Sequence, residues 1–140
     1  MKLVFTLFTL ISLLATSVAL SNDAEDAWYG IASKKGEAFS YVENDPKLPN
    51  VLIYGDSISI AYTPTVRSEL KGKANVYRIQ VNGGDSSSFI SKMNILHKTM
   101  KAHWTHDWDV VHVNVGLHDL KYVADGKLDR VNGKQVSLIH

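Results

Sequence analysis

Apolar positions along this chain fall into blocks of two periods, and the blocks alternate. Val51-Leu52-Ile53-Tyr54 is continuously apolar and ends in Gly55-Asp56-Ser57, as a central parallel strand covered on both faces would. Asn75 to Gln80 alternates and is less apolar, which predicts a second strand nearer an edge. Val110, Val111, Val113 and Val115 predict a third strand, β-branched and buried. Between the first two, Thr63-Pro64 reads as a cap followed by proline at the first helical position, opening a helix that runs to Lys71 with Gly72 as its C-cap. Val66 and Leu70 would share its buried face. Asp85 or one of Ser86, Ser87 and Ser88 caps the next helix, in which Phe89, Ile90, Met93, Leu96 and Met100 form one stripe. Such a stripe is core packing rather than a cofactor pocket. The alternation of strand and helix predicts a parallel sheet with right-handed crossovers. After Gly116 the pattern stops. Asp125-Gly126 and Asn132-Gly133 are turn signals, and the second predicts a hairpin between Leu128-Val131 and Lys134-Ser137.

The chain begins differently. Met1-Lys2 is a positive start, Leu3 to Leu14 is almost wholly apolar, and Ser17-Val18-Ala19 supplies small residues. This is the layout of a secretory signal peptide over residues 1–19. A membrane anchor ranks second, because a spanning helix needs roughly 20 apolar residues. Residues 20–49 read as a polar lead-in with a short helix around Ala27 to Phe39, and residues 50–140 as a single partial domain. The 140 residues leave room for one small domain. Net charge is +1 with both signs scattered, so no basic stripe exists to track nucleic acid. Cysteine is absent, which excludes disulfides, thiolate metal sites and a cysteine nucleophile. Export without cysteine suits a secreted or periplasmic bacterial protein.

The chemistry concentrates where strands end. Gly55-Asp56-Ser57, Asn82-Gly83-Gly84-Asp85 and Gly116-Leu117-His118-Asp119 each follow a strand-like run. Three loops are therefore expected at the carboxyl edge of one sheet, where open α/β sheets bind ligands. At these loops the chain resembles the SGNH (GDSL-type) hydrolase family, over roughly Asn50 to Tyr122. The resemblance implies a three-layer α/β/α flavodoxin-like sandwich with five parallel strands in the order 2-1-3-4-5, three of them visible. It implies Ser57 as nucleophile, the Gly84 N–H as an oxyanion donor and the third block at Gly116 to Asp119. It implies no cofactor and no metal.

Two departures from the family pattern matter. His118 stands where the pattern has asparagine. An imidazole N–H can also donate to an oxyanion, and the Gly-Leu-His-Asp form resembles an exported subgroup. The family's last block, Asp-x-x-His, supplies the base near the carboxyl terminus. Here Ser137-Leu138-Ile139-His140 has serine in place of aspartate, and too little chain follows His118 for two more strand–helix units. A truncated chain is expected, with its third strand a bare edge, low solubility and little activity.

The remaining candidates have plainer expectations. Asp56 and Asp119 are read as shaping their own loops. Ser59 opens the first helix. His112 and Asn114 share a strand face as buried, hydrogen-bonded groups, Asn114 close enough to the edge to touch substrate. Tyr62 either lines the pocket or packs on the first helix. His97, His103 and His106 are read as scattered surface histidines on an exposed connection. The expected function is an exported serine esterase acting on a small-molecule or carbohydrate acyl ester. A non-catalytic binding domain and an acyltransferase to sugars are the alternatives. The sequence leaves the oligomeric state open.

Overall fold

The structure, a computed structural model, describes residues 23–33 and 36–135. Residues 1–19, read above as a signal peptide, and the Ser137–His140 stretch lie outside the described residues. Three parallel strands form the main sheet: β1 (Asn50–Gly55), β2 (Asn75–Arg78) and β3 (Val110–Asn114), in the order β2-β1-β3. Val51 pairs with Val76 on one side and Val110 on the other, and the register carries on to Gly55 opposite Asn114. Helices cover both faces. On one face, Leu52, Tyr54, Tyr77 and Ile79 pack with Trp28 and Ala32 at the first helix (α1, residues 23–31) and with Leu96 and Met100 of α3 (Phe89–Met100). On the other lie α2 (Ser57–Glu69) and a short 3-10 turn at Glu37–Phe39.

Several sequence expectations need correction. The first long helix starts at Ser57, six residues before Thr63. Asp56 caps it by accepting the Ile58 N–H at 2.9 Å, and Pro64 lies inside the helix rather than at its first position. The Thr63 hydroxyl donates to the Ser59 carbonyl at 2.6 Å one turn back. Ser59 therefore sits inside the helix, buried, rather than opening it. Val66 and Leu70 are only half-buried, and the helix buries Ser59 and Thr63 instead. On α3, Ile90 leaves the predicted stripe and is 66% exposed.

The segment read as a lead-in belongs to the fold. The predicted Ala27–Phe39 helix is replaced by α1 and the Glu37–Phe39 turn. Trp28 is buried and donates its indole N–H to the Phe39 carbonyl at 2.8 Å. Arg67 of α2 donates to the carbonyls of Val76, Glu37 and Ser40, binding this segment to helix and sheet.

β2 takes an edge position and, among the described residues, β3 is a bare edge, both as expected, but β3 is not buried. β2 pairs only with β1, as an edge strand does, yet all four of its residues are buried. Trp104, His106 and Trp108 lie against Tyr77 and cover it. β3 is apolar but exposed, with Val110, Val111 and Val113 each about half accessible. Among the described residues no strand pairs with its outer edge. An exposed run of valines on a free edge favours association. Replacing Val111 and Val113 together by lysine is expected to raise solubility and suppress concentration-dependent light scattering.

The last hairpin forms at the earlier of the two turn signals. β4 (Tyr122–Ala124) pairs antiparallel with β5 (Lys127–Leu128) through Asp125-Gly126, whose φ values are 51° and 74°. Two successive positive φ values suit a tight turn between twisted strands. Asn132-Gly133 instead lies in a loop held by the Asp129 carboxylate, which accepts the Val131 and Asn132 N–H groups. These bonds hold the Asp129 pKa below its ordinary value. β6 (Lys134–Gln135) then pairs with β4.

Candidate active site

Backbone hydrogen bonds join the loops after β1 and β2. Gly83 N–H donates to the Gly55 carbonyl at 2.8 Å. The approach leaves no room for a side chain, since a Cβ on Gly83 would lie 2.5 Å from the Gly55 oxygen. Asp56 N–H donates to the Asn114 carbonyl at 3.3 Å, tying the first loop to the end of β3. Asp119, in the loop after β3, is 2% exposed, and its Oδ1 accepts the Ser86 N–H at 2.8 Å. All three predicted loops are thus bonded together at the carboxyl edge of the sheet. Asp56 and Asp119 shape loops, as expected, and Asp119 does so across two of them.

Ser57 is the first residue of α2 and is exposed. Among the described residues its hydroxyl and its N–H have no hydrogen-bond partner. A helix N-terminus leaves amide donors free and favours negative charge nearby. Gly84 has φ 69°, and its N–H donates to the Asn82 Oδ1 at 3.0 Å. An anion at that amide would have to displace the exposed Asn82 side chain. The Gly83 carbonyl is also occupied, accepting from Tyr54, Ser88 and Lys92.

His118 is half-buried in the loop after β3, with Lys121 Nζ 3.0 Å from its Nδ1. An ammonium can only donate. Nδ1 is therefore the acceptor, and the ring proton sits on Nε2. That tautomer makes Nε2–H a donor, the property an oxyanion site requires. The spacing Asp-x-x-His also occurs at Asp109 to His112, but the two side chains do separate work. Asp109 Oδ2 accepts the Asn50 N–H at 2.7 Å, at the opposite end of β1. His112 Nε2 lies 3.1 Å from the Tyr62 hydroxyl. His112 is hydrogen-bonded as expected but exposed, because β3 is uncovered. Tyr62 belongs to α2 and faces β3.

Sequence reasoning missed Arg78. It is fully buried at the end of β2, beneath the serine loop. Nη2 donates to the Gly55 carbonyl at 2.9 Å, the Asp56 carbonyl at 3.2 Å and the Ser59 hydroxyl at 2.8 Å. Nη1 donates to the carbonyls of Ile79 and Val81. The guanidinium also sits 4.7 Å from the centre of the Phe39 ring. Burial pulls its pKa down to about 10, which leaves it charged at neutral pH. One buried cation thus gathers carbonyls from both sides of the serine turn. The signal in the sequence was a charged residue inside a strand-like run.

Among the described residues no group of three or more histidine, aspartate or glutamate side chains is placed to hold a metal ion. No described helix is long and apolar enough to cross a membrane. Comparisons of the chain with protein-family models, curated proteins and solved structures found no match.

Proposed function

We propose that this chain carries the nucleophile and oxyanion half of an exported SGNH-type serine esterase, acting on acyl esters of carbohydrates or similar small molecules. The observation that carries the reading is Ser57. Its free hydroxyl opens a capped helix at the carboxyl edge of a parallel sheet, and the loops after β2 and β3 are hydrogen-bonded at that edge. The strand order β2-β1-β3 with helices on both faces supports a flavodoxin-like sandwich.

In this mechanism Ser57 Oγ attacks the ester carbonyl. The tetrahedral intermediate expels the alcohol, which takes up a proton from water, and a second water hydrolyses the acyl-serine to release the acid. The Ser57 N–H, the His118 Nε2–H and the Gly84 N–H, once Asn82 turns away, stabilise the oxyanion. Donors fixed in place before the charge develops are typically the largest catalytic term. Asn114 forms the rim beside Gly55. No described histidine is hydrogen-bonded to Ser57, so proton removal falls to water, and the rate is low. Sites lacking a triad member retain roughly 10³–10⁴-fold catalysis over water. The second reading is a binding domain of the same fold without turnover.

Hydrolysis of 4-nitrophenyl acetate tests the proposal. Ser57→Ala is expected to abolish the acetyl-serine intermediate seen by mass spectrometry, leaving at most the residual rate that the oxyanion donors support. His118→Asn keeps a side-chain donor and retains most of the rate, whereas His118→Leu loses about 10²-fold. If His118→Asn were as inactive as His118→Leu, histidine would be acting as base and the donor role would be wrong. Product analysis with an added acceptor sugar separates hydrolysis from acyl transfer.

A further inference from the structure

A second cleft lies at the far end of the sheet from Ser57, where α3 turns back to enter β3. It encloses about 270 Å³ and is lined by His97, Met100, Lys101, Trp104, His106, Asp107 and Trp108. The connection predicted to be an exposed string of histidines is an aromatic corner. The Trp104 and His106 rings lie 5.5 Å apart and 35° from parallel, forming a floor. Trp108 stands across them at 85° and 77°, forming a wall. Tyr77 stacks behind His106 at 25°, fixing the floor to β2.

The polar groups of this corner are arranged around those rings. The indole N–H of Trp108 is 3.2 Å from His97 Nε2 and donates to it, so Trp108 offers a ligand its ring rather than a hydrogen bond. Nε2 of His97 then accepts, and its ring proton sits on Nδ1 as a donor. Lys101 and Asp107 are exposed and form no ion pair among the described residues. Burial holds the His106 pKa below its ordinary value, against the opposing pull of Asp107 and Asp109.

We infer that this corner binds a single pyranose ring, stacked on Trp104 and His106 against Trp108, with its hydroxyls bonded to Asp107 and Lys101. A sugar ring presents weakly positive C–H groups on its faces, which suit the negative faces of aromatic rings. Its equatorial hydroxyls both donate and accept, matching a rim that holds one cation and one anion. An organic cation would gain from the rings and Asp107 but would be repelled by Lys101. The volume lies just below the range of drug-sized pockets, roughly 300–1,000 Å³, and fits one ring rather than a polymer segment. The inference does not depend on the reading of Ser57, which lies at the other end of β1.

The test is titration of the full chain with methyl glucopyranoside, methyl galactopyranoside and N-acetylglucosamine, following tryptophan fluorescence. A saturable change with a dissociation constant on the order of millimolar is expected for at least one sugar, as befits so small a ligand. Trp108→Ala should abolish it. Asp107→Ala and Lys101→Ala are surface changes that leave folding intact, and each should weaken binding about threefold or more. Ser57→Ala should bind sugar unchanged, which separates this site from the proposed esterase. No saturable change with any of the three sugars, or tighter binding of tetramethylammonium than of every sugar, would overturn the inference.

Discussion

Gly83→Ala lowers the melting temperature by roughly 10 °C and weakens any activity that depends on Ser57. The new methyl group would lie 2.5 Å from the Gly55 oxygen and 2.8 Å from the Gly55 carbonyl carbon. Both are backbone atoms, and the oxygen is held by Arg78 from below, so neither can swing aside as a side chain would. Overpacking commonly costs about 1–3 kcal/mol, and a rigid backbone partner puts this case at the upper end. About 3 kcal/mol corresponds to that shift in melting temperature for a chain of this size. The second loop must then move away from the first, and the Gly83 N–H loses its acceptor. Gly30→Ala is the control. A Cβ there meets nothing within 4 Å, Gly30 lies in α1, and helix propensity makes the change neutral or stabilising by about 1 kcal/mol.

Arg78→Met is expected to destabilise by about 3 kcal/mol, read from urea unfolding. Methionine fills much of the volume but supplies no donor. The Gly55, Asp56, Ile79 and Val81 carbonyls and the Ser59 hydroxyl lose the bonds they receive from the guanidinium. Each buried polar group left without a partner costs about 1–3 kcal/mol. Part of that cost is offset, since Gly55 still accepts from Gly83 and a buried charge has been removed. Arg78→Lys should recover only part of the loss, because an ammonium cannot reach carbonyls on both sides at once. Full recovery by lysine would mean that the charge matters and the forked geometry does not.

These two variants bracket what the sequence made legible. The strand ending in Gly55-Asp56-Ser57 could be read directly, because a buried parallel strand must be apolar throughout and its exit turn is short. The three loops could be placed at one edge for the same reason. The start of α2 was misread because Thr63-Pro64 was taken for a cap and first helical position, whereas the cap is Asp56. The edge positions of β2 and β3 were legible, but the reading of β3 as buried failed because burial belongs to the neighbours. Val111 and Val113 have the composition of core residues, but no described strand lies beyond them. The Asn75 to Gln80 stretch read as less apolar, yet the Trp104 to Trp108 segment folds over Tyr77 and covers it. Arg78 could not be found from spacing at all. Its role comes from five acceptors brought to one point by chain segments as far apart as Gly55 and Val81.

The proposed role of Ser57, a reactive hydroxyl held among oxyanion donors, is probed most directly by a fluorophosphonate. The folded chain is treated with the reagent, and the modified peptide is mapped by mass spectrometry. One adduct is expected on Ser57, lost in Ser57→Ala and slowed in His118→Leu. No adduct on the folded chain would contradict it, and so would labelling of Ser86, Ser87 or Ser88 that persists unchanged in Ser57→Ala.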